Sequence, residues 1–121
     1  MEKVTRREEE LLRCFWEQGP LFVRELVAMM PDPKPHFNTL STMVRALEAK
    51  GYVAHESFGS TYRYYAVVSE AEFSRRTLRS VIDRYFKRST LGAVSALVEE
   101  EQISVEELRK LIDRIEEHAN N

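Results

Sequence analysis

Apolar residues recur every three or four positions through the N-terminal part of the chain, the spacing of one buried face of an α-helix. The pattern predicts three helices, over about 6–18, 23–30 and 36–50. Each is followed by residues that break a helix: Gly19-Pro20, the proline-rich segment PDPKP at 31–35, and Gly51. A short β-prone stretch, LFV at 21–23, lies where the second helix begins.

From residue 52 the pattern changes to that of a β-hairpin. The segment YVAHES at 52–57 predicts one strand, and YRYYAVV at 62–68 predicts the strand that returns beside it. The segment FGST at 58–61 predicts the turn, where Gly59 can adopt a positive φ. Three helices followed by a hairpin is the chain order of a winged helix-turn-helix domain.

The rest of the chain predicts helices alone, over about 70–88, 90–101 and 105–118. The helix-start signal S/T-x-x-E occurs three times, at Thr5, Ser69 and Ser104. The C-terminal helices carry apolar stripes: Leu78, Val81, Ile82, Tyr85 and Phe86; Leu91, Val94, Leu97 and Val98; and Leu108, Leu111, Ile112 and Ile115. About 50 residues are too few to close a stable core alone, so we expect these stripes to pair with those of a second copy.

The outer face of the third helix carries short or polar side chains that would fit a groove. Its apolar stripe is Leu40, Met43, Val44 and Leu47. The opposite and flanking positions are short or polar: Asn38, Thr39, Ser41, Thr42 and Arg45. Such a helix fits the major groove of DNA, where Asn can pair with adenine, Arg with guanine, and Thr can meet a thymine methyl group or a phosphate. His36 at the helix start is a further candidate phosphate contact, and Arg63 beside the hairpin turn is a candidate contact to the backbone or minor groove.

These patterns together predict a mainly α fold with a small β-hairpin. It would be a winged helix-turn-helix, the DNA-binding domain, over 1–68, followed by a C-terminal helical dimerisation region over 69–121. A twofold dimer would present two copies of the third helix, so the DNA operator should be palindromic.

Composition agrees with an ordinary globular protein, at 43% hydrophobic and 31% charged residues. No stretch approaches the ~20 apolar residues that a membrane span requires. The N-terminal segment MEKVTRREEE has no apolar signal region, so we expect a cytoplasmic location and no membrane insertion. Cys14 is the only cysteine, which excludes an internal disulfide and a cysteine pair for metal.

Catalysis is not indicated. His36, His55 and His118 lie far apart in the sequence, and no metal-binding spacing, nucleophile motif or phosphate loop is present. We therefore expect neither an enzyme nor a bound cofactor.

The charge distribution says more than the net charge of −2. Residues 75–88 hold six basic side chains and one acidic one, whereas residues 99–117 hold eight acidic and three basic ones. In a dimer these two segments could face each other across the interface. Around the third helix and hairpin, basic residues outnumber acidic ones: Lys34, Arg45, Lys50 and Arg63 against Glu48 and Glu56. A nearly neutral chain should bind DNA weakly as a monomer, since contacts to phosphates dominate affinity.

The chain resembles the penicillinase repressor family of bacterial transcription regulators over roughly residues 4–117. The resemblance is carried by the ordered combination of four segments: EEELLRCFWEQGPLFVREL, NTLSTMVRALEAKGYV, TYRYYAVVSEAE and LVEEEQISVEELRKLI. It implies a winged-helix repressor that dimerises through its C-terminal helices and binds a palindromic operator. Thr39, Thr42 and Arg45 fall where the family presents DNA-facing residues of the third helix.

The resemblance also implies a further partner, because some members are inactivated when a membrane-bound sensor protease triggers their cleavage in the tail. The cleavable members carry an Asn-Phe pair where this chain reads Ala96-Leu97, which argues against cleavage at that bond. The copper-responsive branch has a cysteine-rich C-terminus, and this chain ends RIEEHANN, so copper sensing is not expected.

Two other functions remain open at this point. A winged-helix module that binds protein rather than DNA would present an apolar or acidic helix-and-hairpin surface. A ligand-sensing regulator would need an apolar pocket between the C-terminal helices and the first helix.

Overall fold

A computed structural model of the chain describes residues 3–119, except for the side chain of residue 119. Over that range it contains these elements: α1 (Arg6–Gln18), β1 (Leu21–Phe22), α2 (Val23–Met29), α3 (Phe37–Ala49), β2 (Val53–Phe58), β3 (Thr61–Ala66), α4 (Glu70–Tyr85), α5 (Thr90–Glu99) and α6 (Val105–Ala119). The predicted mainly α fold with a small hairpin is confirmed.

The sheet has one strand more than the predicted hairpin. The β-prone stretch at Leu21–Phe22 forms β1, which pairs antiparallel with β3, so the strand order is β1-β3-β2. The register between β2 and β3 runs from Val53 opposite Ala66 to Phe58 opposite Thr61. β1 thus ties the junction between α1 and α2 to the hairpin.

The chain divides into two compact units, and the division falls between Ser74 and Arg75. The core of the first unit is built from α1, α2, α3 and the sheet: Leu11, Leu12, Phe15, Leu21, Val23, Leu26, Met30, Leu40, Val44, Leu47, Tyr52, Val53, Tyr64 and Val68. The first turn of α4 belongs to this unit, because the centroid of the Phe73 ring lies 5.4 Å from that of Trp16 and 5.9 Å from that of Tyr52. The Trp16 indole N–H also donates to the Val68 carbonyl at 2.9 Å. The unit therefore extends past residue 68, where the predicted domain ended.

All three predicted helix-start signals form caps. At α1, the Glu8 N–H donates to the Thr5 hydroxyl at 3.2 Å, and the Thr5 N–H donates to the Glu8 carboxylate at 2.8 Å. The same reciprocal pair joins Ser104 and Glu107 at α6, and it lowers the pKa of Glu107. At α4, the Glu72 N–H donates to the Ser69 hydroxyl at 3.1 Å. Each cap satisfies a backbone donor that the first helical turn leaves unpaired.

A buried ion pair fixes the end of α3 against the start of α1. Glu8 is only 4% exposed, and its carboxylate lies 2.7 Å from the Lys50 ammonium. The ammonium also donates to the Lys3 carbonyl at 3.0 Å. Burial alone would raise the pKa of Glu8, but hydrogen bonds from Lys50 and Thr5 outweigh it and lower that pKa. The pair thus joins the residue that ends α3 to the first turn of α1.

The second unit, from Arg75 onward, holds most of α4 together with α5 and α6. α4 ends at Tyr85 rather than near residue 88, because Lys87 and Arg88 adopt positive φ values of 51° and 65°. Of the thirteen predicted stripe residues, only Ile82 is buried, and Phe86, Val94 and Leu108 are half-buried. The exposed members are Leu78, Val81, Tyr85, Leu91, Leu97, Val98, Leu111, Ile112 and Ile115. Within residues 3–119, none of the helices is both long and apolar enough to cross a membrane.

Candidate nucleic-acid interface

The third helix is anchored along one side and capped at its start. Leu40, Val44 and Leu47 are fully buried, which fixes the rotation of α3 about its axis. His36 is the N-cap, and its ring Nδ1 accepts a hydrogen bond from the Asn38 N–H at 3.1 Å. The predicted phosphate contact at His36 stays a prediction, with one ring nitrogen already engaged by the helix.

Four of the predicted residues lie together on the exposed face of α3: Asn38, Thr39, Thr42 and Arg45. The Thr42 hydroxyl donates to the Asn38 carbonyl at 2.9 Å, which leaves its oxygen free to accept a further hydrogen bond. The Arg45 Nε lies 3.4 Å from the Ser41 carbonyl, so the side chain follows its own helix. No carboxylate of the described residues lies within ion-pair distance of Arg45. The face therefore presents donors, an acceptor and a methyl group, the chemistry that reads base edges.

Ser41 lies at the edge of that face. It is half-buried and lines a groove beside the hairpin. The helical period places it about 40° from Arg45 and about 100° from Thr42.

Arg63 lies on the sheet surface opposite the one that faces α3. Side chains alternate along β3, and Tyr64 points into the core, so Arg63 points away from it. Its guanidinium lies 3.6 Å from the Glu56 carboxylate and 4.6 Å from the centroid of the Phe58 ring. The structure therefore does not bring Arg63 together with the α3 face, although both belong to the first unit. The alternation of Tyr62, Arg63 and Tyr64 is the sequence signal that could have shown this.

A link between α3 and the hairpin was missed in the sequence. Glu48, near the end of α3, lies 2.6 Å from His55 Nδ1 on β2. The His55 ring stacks on Tyr62 of β3, with centroids 4.2 Å apart and 22° between the planes. Helix and hairpin are thus held together by side chains as well as by the short turn at Gly51. The sequence analysis counted Glu48 only among the charges around the third helix and assigned His55 no role.

Two of the lysines counted around α3 have partners within the protein. The Lys50 ammonium is used by Glu8, as described above. The Lys34 ammonium donates to the carbonyls of Met30 at 2.7 Å and Ala28 at 2.9 Å, closing the C-terminus of α2. These two lysines shape the turn between α2 and α3 and the end of α3. Within residues 3–119, no cluster of three or more His, Cys, Asp or Glu side chains could hold a metal ion.

Comparison with known proteins decides the family. The family model described as Penicillinase repressor matches residues 4–117, nearly the whole chain. The chain belongs to the penicillinase repressor family. This is a family of transcriptional repressors and not of enzymes, so the predicted family, the repressor role and the absence of catalysis are confirmed.

Curated relatives of this family member are similar along more than nine tenths of their length. It is 24% identical to the penicillinase repressor of Bacillus licheniformis, over 98% of this chain and 93% of that one. It is 27% identical to the methicillin resistance regulatory protein MecI of Staphylococcus aureus strain Mu50, over 93% of this chain and 94% of that one. Among solved structures, the transcriptional regulator Tm0710 from Thermotoga maritima matches 97% of this chain and 75% of its own. That match has a TM-score of 0.51 at 19% identity, and it confirms the winged-helix fold.

The Ala96-Leu97 pair, at the position where the resemblance implies cleavage of some family members, lies inside a helix. Ala96 and Leu97 both belong to α5 (Thr90–Glu99). The Ala96 carbonyl accepts from the Glu100 N–H at 3.1 Å, and the Leu97 carbonyl accepts from the Gln102 N–H at 3.0 Å. Ala96 is half-buried and Leu97 is exposed.

Proposed function

We propose that this chain represses transcription as a homodimer on a palindromic DNA operator. In this proposal α3 lies in the major groove, and the hairpin β2–β3 contacts the backbone or the minor groove. The observation that carries the proposal is the exposed polar face of α3, held outward by the fully buried side chains of Leu40, Val44 and Leu47. The relatives bear names of a repressor and of a resistance regulator, which supports the same role.

The homodimer is supported by the apolar surface of the second unit. On α6, Leu111, Ile112 and Ile115 are each about half exposed, at 47–58% of the residue surface. A soluble monomer rarely exposes so continuous an apolar strip. A second copy with the same strip would cover it, and twofold symmetry would then set two copies of α3 about one DNA turn, ~34–36 Å, apart or a multiple of it.

The proposal bears on two expectations from the sequence, the cytoplasmic location and cleavage by a sensor protease. A cytoplasmic location follows, because a regulator of this kind must reach its operator. We do not propose cleavage by a sensor protease at Ala96-Leu97, since the pair differs from Asn-Phe and lies within α5. The inducing signal is therefore a separate question from DNA binding.

Base reading by α3 is tested with Thr42→Ala and Arg45→Ala. Each variant is expected to weaken binding to the operator by roughly 1–3 kcal/mol, and to relax the preference at one base position, because each removes a group that faces a base edge. Fluorescence anisotropy with a duplex from the DNA upstream of the gene, and with single-base variants of it, measures both effects. Thr77→Ala and Arg13→Ala, exposed residues of α4 and α1, are the matched controls. Unchanged affinity and base preference in both α3 variants would contradict the assignment, and no duplex binding at all would favour a protein-binding module.

The role of Arg63 is tested by two variants with opposite expected effects. Arg63→Ala should weaken binding to every duplex about equally and flatten the salt dependence, since a backbone contact carries no sequence information. Glu56→Gln should strengthen binding slightly, because the carboxylate 3.6 Å from the guanidinium competes with phosphate. Anisotropy titrations at several salt concentrations measure both. A changed base preference in Arg63→Ala at an unchanged salt slope would show that Arg63 does not act on the backbone.

A further inference from the structure

A groove of about 270 Å³ opens between the start of α2, the first half of α3 and the turn of the hairpin. All of its walls belong to the first unit. Its lining includes Arg24, Phe37, Ser41, Ser60, Thr61 and Tyr62, and no carboxylate of the described residues lines it. The groove adjoins the polar face of α3, because Ser41 in its wall precedes Thr42 on that face.

Among the described residues, Arg24 is the only charged side chain in the lining of this groove. Its guanidinium lies 4.6 Å from the centroid of the Phe22 ring, and Phe22 in turn meets Phe58 edge-to-face at 5.8 Å. A ring beneath a guanidinium orients it without neutralising its charge. No acidic side chain in the described part of the chain pairs with Arg24. The cation is therefore held in place and left without a counter-charge.

The other polar groups of the groove are hydroxyls. Ser41 is half-buried in the wall, and Ser60, Thr61 and Tyr62 surround the hairpin turn. The Thr61 hydroxyl already donates to the Phe58 carbonyl at 3.0 Å, so the hydroxyls left to donate in the groove are those of Ser41, Ser60 and Tyr62. The remaining surface is aromatic, with the rings of Phe37 and Tyr62 each about half exposed. One fixed cation, several hydroxyl donors and flat apolar surface suit a phosphate together with its sugar.

Resting on the proposed function, we propose that this groove binds one phosphate of the DNA backbone beside the major groove that α3 occupies, with Arg24 as its charged contact. The occupant is backbone rather than a separate ligand because the groove is continuous with the α3 face and carries positive charge alone. Arg24 then adds affinity for any duplex and helps to fix the register of α3. It complements Arg63, whose guanidinium lies 4.6 Å from the centroid of the Phe58 ring that Phe22 meets edge-to-face.

The test uses the full-length chain and a duplex selected by the wild-type protein from a random pool. Arg24→Ala is expected to bind both this duplex and a scrambled duplex more weakly than the wild type, by the same factor. The factor should be roughly tenfold or more, as for the loss of a charged hydrogen bond. The slope of log affinity against log salt should fall by about 0.9 for each phosphate that the variant no longer neutralises. Arg24→Lys should retain most of that slope, because it keeps the charge. Arg13→Ala is the matched control, since Arg13 is an exposed arginine on α1 that pairs with Glu9.

A second measurement locates the phosphate. Single linkages of the selected duplex are made neutral, one at a time, as methylphosphonates. At one linkage in each half-site the wild-type protein should bind more weakly when the charge is removed. Arg24→Ala should bind that modified duplex as well as it binds the unmodified one.

Three results would overturn the proposal. Arg24→Ala could bind with the affinity and salt slope of the wild type, or it could bind the selected duplex more weakly but the scrambled duplex equally well. In the third, each neutral linkage reduces the affinity of the wild type and of Arg24→Ala by the same factor at every position. Wild-type protein that selects no duplex would contradict the proposed function itself, so the two failures are distinguishable. Circular dichroism and thermal unfolding confirm that each variant is folded, and if Arg24→Ala does not fold, Arg24→Gln takes its place.

Discussion

Replacing Lys50 by methionine is expected to destabilise the protein by about 3–5 kcal/mol, the cost of leaving a buried charge without its partner. Glu8 is almost fully buried and lies 2.7 Å from the Lys50 ammonium, so its carboxylate would lose both charge compensation and a hydrogen bond. Urea unfolding at neutral pH measures the change in the free energy of unfolding.

The matched control is Lys110→Met. Lys110 lies 3.9 Å from Glu106 on α6, and both side chains are exposed, so its loss should change the free energy of unfolding by less than about 1 kcal/mol. The double variant Glu8→Gln, Lys50→Met removes both charges and should be more stable than Lys50→Met alone. Equal free energies of unfolding for Lys50→Met and Lys110→Met would show that the buried pair contributes no more to stability than the exposed pair.

The same pair gives the stability a defined pH dependence. The pKa of Glu8 is lowered in the folded state, where bonds from Lys50 and Thr5 outweigh the effect of burial. The contribution of Glu8 is therefore complete above the pKa that it has in the unfolded chain, and it is lost as the pH falls towards its folded pKa. The difference in stability between wild type and Glu8→Gln should narrow over this acidic range and stay constant at neutral pH.

The full-length variant Leu111→Asp, Ile115→Asp is expected to be a monomer at micromolar concentration and to bind the operator at least roughly 100-fold more weakly, since linking two binding modules typically contributes 10²–10⁴. Both side chains lie on the exposed apolar strip of α6. Two carboxylates there would be buried unpaired in the proposed interface. Sedimentation velocity and anisotropy measure the two effects.

A truncated chain provides the complementary measurement. It should end after Ser74 rather than after residue 68, because Phe73 packs on Trp16 and Tyr52 in the core of the first unit. We expect a folded monomer with weak operator binding. Arg114→Ala is the control on α6 for the full-length variant, as it changes an exposed charge near the strip. Wild-type protein that sediments as a monomer, or truncation that leaves operator affinity intact, would contradict the homodimer.

The parts of the fold that depend on a pattern within a single segment were predictable from sequence. The stripe of Leu40, Val44 and Leu47 set both the span of α3 and the direction of its outer face, because helical period and burial are linked along a single segment. The caps at Thr5 and Ser104 were readable for the same reason, since each partner lies three residues away.

The parts that depend on packing between distant segments were not predictable. Glu8 and Lys50 are 42 residues apart, and nothing in either local pattern shows that one carboxylate will be buried on the other's ammonium. The strand at Leu21–Phe22 was visible only as β-prone, since its partner Tyr64 is found by tertiary pairing. The groove beside Arg24 likewise joins three separate segments. Its phosphate chemistry emerges only when they are placed together.

Trp16 gives the protein an internal optical reporter. It is the only tryptophan in the chain, its indole N–H bonds to the Val68 carbonyl, and its ring contacts Phe73. Its fluorescence emission therefore comes from one place, where α1, the segment that follows β3 and the first turn of α4 join. Emission reports that seam, whereas far-ultraviolet ellipticity averages over all the helices, α5 and α6 included. A difference between the two signals during unfolding would separate loss of the winged-helix seam from melting of the C-terminal helices without any added label.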